Sequence, residues 1–461
     1  MYIDKDDAAS PTVSIEAVFL SLLIDAYEKR YVAVIDIPGA FMQADMDVET
    51  HVKLQGKMAE IFISLDPKYY EPYKCIENGK TSIYMSLNKA LYGTLRAAIL
   101  FWENLTSTLT AMGFEINEYD VCVANKLING SQCTITWHVD DLKRSHRDPS
   151  VVEDVIQNIN AVYGDIQEIT IKRGKKHEYL GMDVDFQQEG KVVISMKKYI
   201  ADMLGDLPKD MDGVSATPAA KHLFEVNEEN PKCLDAERKQ TFHHNVAKLL
   251  FLSKRARPDI QTAVAFLCTR VQKPDIDDWK KLTKVMKYLR GTADLELTLE
   301  ASNMNVIKWW ADGAFAVHND FKSHTGGVMM MGKGAVYSTS TKQKINTKSS
   351  TEAELVAVDD VIGQVIWTRN FLEAQGYEVG ASTIHQDNQS GIRLETNGKR
   401  SSSKRTRHIN IRYFFVKDKV DTKEVEIKYC PADTMIADFL TKPLQGSAFT
   451  TFRNLILNIK D

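Results

Sequence analysis

The sequence predicts a mixed α/β protein built from more than one domain. Three observations carry this reading. Apolar, β-rich runs end on carboxylates at Asp36 and at Asp140-Asp141. A helical stretch runs from Phe242 to Arg290. A second α/β pattern begins near Val306. Strand-like alternation and helix-like periodicity distinguish the segments, and 461 residues suffice for two or three domains.

The elements follow in order. Ser14 caps a helix over residues 15–29, with Glu16 in its first turn. The chain then enters the strand Tyr31-Val32-Ala33-Val34-Ile35-Asp36, which the Pro38-Gly39 turn closes. Residues 133–137 and 142–145 read as two strands of a hairpin, with His138-Val139-Asp140-Asp141 at its tip. Asp148-Pro149 opens another helix, whose apolar face is Val151, Val152, Val155, Ile156, Ile159 and Val162, ending near Gly164. A strand over 191–195 and a short helix over 197–204 come next. Gly213, Thr217 and Pro218 break regular structure across 211–221, a domain boundary. Residues 227–234 are polar and loop-like. The helical stretch 242–290 breaks once, around Lys273-Pro274. Beyond it lie strands at 306–311, 326–331 and 335–339, a helix over 351–375 and a strand at 383–386. There is no internal repeat and no low-complexity tract.

Hydrophobic content of 44% and charged content of 26% are those of a globular protein. No stretch approaches the ~20 apolar residues of a membrane span, and the N-terminus does not read as a signal peptide. Six cysteines are scattered without zinc or disulfide spacing, as in a reducing compartment. A net charge of −4 argues mildly against a nucleic-acid binder. Locally, however, Lys399, Arg400, Lys404, Arg405, Arg407 and Arg412 fall in a stretch, 397–412, with no acidic residue. Such a cluster suits phosphate contact, assigned here to Lys404, Arg405 and Arg407.

Paired carboxylates repel one another, so Asp140-Asp141 at a turn makes chemical sense when a cation neutralises them; hard oxygen ligands suit Mg²⁺. Strand alternation lets one of the two face a shared site while the other supports it. Asp36, at the end of an apolar strand, is a further candidate ligand. Ordinary turn chemistry would explain either feature alone. Their company changes the reading. Lys89-Ala90-Leu91-Tyr92-Gly93 lies between them, and Glu178-Tyr179-Leu180-Gly181 and Ala216-Thr217-Pro218 follow. In this order the motifs closely resemble the reverse transcriptase of copia-type retrotransposons. Downstream, Arg257-Pro258-Asp259-Ile260, Trp310-Ala311-Asp312, Ser349-Ser350-Thr351-Glu352-Ala353-Glu354, Gln386-Asp387-Asn388-Gln389-Ser390 and Ile436-Ala437-Asp438-Phe439-Leu440-Thr441-Lys442-Pro443 are similar to the ribonuclease H region of the same Pol polyprotein. The likeness runs from about residue 10 to about residue 457.

The resemblance implies a right-hand polymerase palm with partial fingers over 1–222, a helical thumb and connection over 223–302, and a ribonuclease H-like mixed-sheet domain over 303–461. It implies RNA-directed DNA synthesis with degradation of the RNA strand, by two-Mg²⁺ phosphoryl transfer at each site, with Mn²⁺ as an alternative ion. Asp36 and Asp140 are the implied polymerase ligands, with Asp141 in support. Phe41 falls where an aromatic excludes a 2′-hydroxyl, and Tyr179, Leu180 and Gly181 where a hairpin grips the primer. Asp312, Glu354, Asp387 and Asp438 are the implied nuclease ligands. Glu352 competes for the role of Glu354, and Asp387 could instead cap the helix that begins near Gln389. Asp438 is expected on the last helix. The implied partners are RNA template, DNA primer, RNA–DNA hybrid, deoxynucleotides and other Pol segments such as integrase, inside the cell, in a cytoplasmic particle or the nucleus, with no membrane.

Three departures matter. His138 replaces the family's Tyr. Arg96 replaces a Gln expected near the nucleotide, where it could bind phosphate. The chain also begins later than the family's fingers do, from which hybrid cleavage with poor primer extension is expected. The alternative reading is a truncated or co-opted remnant that binds nucleic acid or protein without polymerising, retaining at most ribonuclease H.

Overall fold

The computed structural model describes residues 10–165, 167–229, 231–397 and 410–460, with side chains up to 397 and from 415. Its first layer is a six-stranded antiparallel sheet. The order is Glu115–Ile116, Val123–Ile128, Ser131–His138, Asp141–His146, Tyr31–Asp36 and Thr170–Gly174. Four consecutive residues of the Tyr31–Asp36 strand, Val32 to Ile35, are buried, so both faces of the sheet are covered. The helix Ile15–Tyr27 reaches it through Asp25 and runs along the strands Lys191–Ser195 and Leu297–Ala301, its first turn fixed by Ser14 Oγ, which accepts from the Ala17 N–H.

The strand Asp141–His146 is the least hydrophobic of the six, yet it is almost wholly buried. Its cations find partners on either side. Lys143 pairs with Asp25 of the first helix, and the Arg144 guanidinium donates to the carbonyls of Val151 and Val152. Those carbonyls belong to the helix Pro149–Tyr163, which Asp148 caps at Ser150 N. Tyr163, not the expected Val162, completes its buried face; Val162 is exposed.

A three-stranded sheet, His51–Gln55, Lys80–Ser86 and Cys75–Glu77, stands apart, backed by the helix Lys57–Leu65. A third sheet joins strands from three well-separated stretches of the chain. It orders Lys176–Tyr179, Met182–Asp185, Lys191–Ser195, Leu297–Ala301 and Gly332–Lys333, all antiparallel.

The helical stretch differs from its sequence reading in two ways. It begins earlier, with Ala236–Ser253, and it breaks a second time before Gln261–Cys268 and Ile276–Gly291. Pro258 lacks the N–H that would continue the first helix. The buried Arg257–Asp259 pair, to which Tyr288 also donates, occupies the gap.

The C-terminal sheet orders Tyr337–Lys342, His324–Met330, Lys308–Ala314, Ser382–Gln386 and Val425–Tyr429. Its first three strands are antiparallel and the last two pair in parallel. The strand Lys308–Ala314 starts later than expected and continues through Asp312 instead of ending there. The 25-residue helix Ser350–Ala374 crosses this sheet. Two hydrogen bonds tie its C-terminal end to the first layer: Trp367 Nε1 donates to the Tyr119 carbonyl at 2.9 Å, and Tyr377 Oη donates to Glu28 at 2.6 Å. Among the described residues no helix is long and apolar enough to cross a membrane.

Candidate active sites

The first site forms where the strands Tyr31–Asp36 and Asp141–His146 end together. Their register sets Asp36 opposite Asp141, and Ile37 N donates to the Asp140 carbonyl at 3.4 Å. Asp140 reaches this position through a two-residue turn in which Val139 has a φ of 58°. Hairpins normally give that place to glycine, and a β-branched residue there is strained. Burial, then Asp140, raises the Asp36 pKa. Burial, then Asp140 and Asp36, does the same at Asp141. Asp36 and Asp141, whose ionisation burial and the neighbouring carboxylates discourage, suit a divalent cation held by hard oxygen donors.

A cleft of about 250 Å³ opens beside them, lined by Asp36, Asp141, Thr170, Lys172, Leu180 and Gly181 among others. Leu180 and Gly181 form the turn of the hairpin Lys176–Tyr179/Met182–Asp185, both with positive φ. Tyr179 does not share the cleft. It is 1% exposed, and its hydroxyl donates to the Thr136 carbonyl at 3.3 Å. It precedes the turn on the inward face of the strand, so the expectation of substrate contact fails for its side chain. Arg96 is also committed elsewhere: its guanidinium grips Asp47 with two nitrogens, which corrects the expectation of a free phosphate ligand. His138 pairs in register with Asp141 and lowers that residue's pKa against the aspartates. Phe41 is half-buried, its ring 4.3 Å from that of Tyr92.

The second site gathers Asp312, Glu354 and Asp387, each offering an oxygen within 4.8 Å of the others. Gly313 makes this convergence possible. A Cβ there would meet the Ala353 carbonyl oxygen at 2.4 Å, so only glycine lets strand and helix approach this closely. Gly313 N then donates to Glu354 Oε2 at 3.1 Å. Glu352, two residues earlier, points about 200° away around the helix and accepts from Lys348 N at 2.8 Å. Ser349 Oγ in turn accepts from Glu352 N, so Glu352 serves the helix start rather than the cluster. Asp387 is not the cap of the next helix; Asn388 Oδ1 accepts from Gly391 N.

Asp438 opens a four-residue helix, Asp438–Thr441, and not the last helix, which is Gly446–Leu457. Gly326 makes room for it, since a Cβ would meet the Ala437 carbonyl at 2.8 Å. A directed hydrogen-bond chain anchors it from behind. Ser340 Oγ donates to the Leu440 carbonyl, His324 Nε2 lies 2.8 Å from Ser340 Oγ, and His318 Nε2 lies 3.0 Å from His324 Nδ1. Burial pushes both imidazoles down, to about 3 and about 4, so both are neutral and the chain has one direction. Burial also raises Asp312, to about 6, and Glu354 well above the usual carboxylate range, with Asp312 and Asp387 adding to the effect on Glu354. Asp387 and Asp438 shift the same way, burial first. The donor set again fits divalent cations. Lys404, Arg405 and Arg407 lie outside the described residues.

Residues 2–220 match the sequence profile of the reverse transcriptase (RNA-dependent DNA polymerase) family. The match covers just under half of the chain. Over its whole length the chain is related to copia-type Pol polyproteins. It is 25% identical over 460 residues to the retrovirus-related Pol polyprotein of transposon TNT 1-94 from Nicotiana tabacum, covering 98% of this chain and 33% of that protein. It is 23% identical over 461 residues to the Pol polyprotein of transposon RE2 from Arabidopsis thaliana, covering 99% and 30%. The chain thus spans about a third of these relatives. A solved foamy viral protease-reverse transcriptase in complex with RNA/DNA hybrid superposes with a TM-score of 0.52 at 11% identity, covering 95% of this chain and 48% of that one. The fold is that of a reverse transcriptase, with a palm, a helical thumb and connection, and a ribonuclease H-like domain.

Two residues of this reverse transcriptase fold went unassigned from sequence. Tyr92 stacks near Phe41 and faces Asp140 and Asp36, whose charges, after burial, hold the proton on its hydroxyl. It stands in the Lys89–Gly93 motif, but only the fold shows that this turn hangs over the aspartates. Lys442 extends its ammonium into the carboxylates of the second site, 2.6 Å from Asp438.

Proposed function

We propose that the chain is an RNA-directed DNA polymerase with ribonuclease H activity from a copia-type element. The observation that carries this reading is the convergence of Asp36, Asp140 and Asp141 where two strands end together, and of Asp312, Glu354 and Asp387 between the C-terminal sheet and its long helix. At the first site Asp36 and Asp140 would hold Mg²⁺, with Asp141 in support; at the second, Asp312, Glu354, Asp387 and Asp438 would. The ions, when bound, would activate the attacking oxygen and stabilise the leaving one.

The chain's own residues do the rest. The Leu180-Gly181 turn sets a primer end beside Asp36. Phe41, braced by Tyr92, blocks the 2′ position of an incoming nucleotide. The hydrogen-bond chain behind Asp438 fixes that carboxylate toward Asp312. RNA template, DNA primer, hybrid and deoxynucleotides are the substrates of this reading.

The test is one purified sample assayed for primer extension on an RNA template and for cleavage of an RNA–DNA hybrid. Hybrid cleavage is expected, and any primer extension beside it, each abolished separately by substitutions at its own aspartates. A chain inert in both assays while binding hybrid would favour a non-enzymatic remnant.

A further inference from the structure

Among the described residues, Lys442 is the only cation paired with the nuclease carboxylates. Its Nζ lies 2.6 Å from Asp438 Oδ1 and 3.8 Å from Asp312 Oδ2. The preceding residue, Thr441, donates to Asp312 Oδ2. Lys442 opposes the upward pKa shifts of Asp312, Glu354, Asp387 and Asp438 alike.

An Asp-Lys pair four residues apart is ordinary on the surface of a long helix. This one is different. The helix ends at Thr441, and Lys442 is extended, with φ −125° and ψ 134°. Its side chain therefore turns back over the helix end into a site where three carboxylates already crowd one another. Asp312 is 2% exposed, while the lysine side chain is 43% exposed. One partner is fixed, and the other has open solvent to move into.

We propose that Lys442 is a positioning residue, a resident cation that holds Asp312 and Asp438 together without metal and withdraws from Asp312 when a divalent ion binds. Metal loading is then an exchange of charges rather than a simple addition. This rests on the nuclease reading above, in which the cluster is a divalent-ion site.

The test is Mn²⁺ binding by the full chain, read from the electron paramagnetic resonance of free Mn²⁺, together with thermal unfolding in chelator. Asp387→Asn identifies the part of the signal that belongs to this cluster. Lys442→Met keeps the stem and removes the charge. It is expected to bind the Asp387-dependent ion roughly ten-fold more tightly, because a competing positive charge is gone. It is also expected to unfold at a lower temperature than wild type in chelator, with Mn²⁺ closing the gap. Lys442→Arg should track wild type in both measurements. An Asp387-dependent affinity that is unchanged or weaker in Lys442→Met would overturn the exchange and leave the nuclease reading standing. Mn²⁺ binding that ignores Asp387→Asn in every background would overturn both.

Discussion

Asp140 owes its position to a single strained residue, Val139, and its proposed role as a metal ligand to a single charge. Asp140→Asn keeps the shape and removes that charge. Primer extension is expected to fall by orders of magnitude while hybrid cleavage persists, and surviving extension would move the role to another carboxylate. Glu395 offers a different test. It is fully buried, and Gln386 is its polar neighbour; neither side chain makes a hydrogen bond in good geometry among the described residues. Burial pushes its carboxyl up to about 8 from an ordinary 4.5. A carboxyl whose folded pKa is raised contributes its full stability below the unfolded pKa and loses it as pH rises through the folded one. Glu395→Gln should therefore leave stability unchanged near pH 4 and increase it at pH 8–9, by about 1.4 kcal/mol for every tenfold that burial has tightened the hold on the proton. Denaturant unfolding at the two pH values checks this; equal gains at both would refute it. At this scale the candidate carboxylates were legible as residue types. Where each points was not: Tyr179 and Leu180 are adjacent in the motif, yet one is core and the other lines the cleft.

The helix Ser350–Ala374 shows how an element sorts two similar residues. Glu352 and Glu354 face different ways, one toward the backbone at the helix start and the other toward Gly313. Glu354→Gln should lose hybrid cleavage with little loss of stability. Glu352→Ala should keep cleavage and lose about 1 kcal/mol, the usual worth of a helix cap. The reverse outcome in paired cleavage and unfolding measurements would exchange the assignments. The resemblance already favoured Glu354, and the Ser349-x-x-Glu352 spacing carries a capping signal that points the same way. The strand Asp141–His146 could not have been read as buried. Its Lys143 and Arg144 argue for solvent until Asp25, 118 residues away, and two helix carbonyls are placed beside them. The second break in the helical stretch was signalled by Pro258, but the buried Arg257–Asp259 pair that fills it depends on Tyr288 arriving from elsewhere.

At the scale of the molecule, the segments named from sequence are not independent bodies. The third sheet takes strands from the first 195 residues, from Leu297–Ala301 and from Gly332–Lys333, while Trp367 and Tyr377 bind the long helix to the first layer. Proteolytic nicking in the polar loop 227–234 should therefore leave two fragments that co-elute on size exclusion and unfold in one transition. Fragments that separate in native buffer would show that these contacts do not hold the halves together. Periodicity reveals the strands on either side of this loop, but pairing between residues far apart leaves no local trace.

That shared sheet also sets a clock on the ribosome. The strand Lys191–Ser195 emerges roughly 100 residues before its partner Leu297–Ala301, and at about 5–20 residues per second the delay is roughly 5–20 s. During it, the strand Lys191–Ser195, already paired on its other side with the hairpin that carries the Leu180-Gly181 turn, presents a bare β edge, the kind of surface on which nascent chains stick to one another. A message cut short within the helical stretch would leave that edge permanently open. Quality control of such products would then act on the unfinished sheet, before either cluster of carboxylates could be put to use.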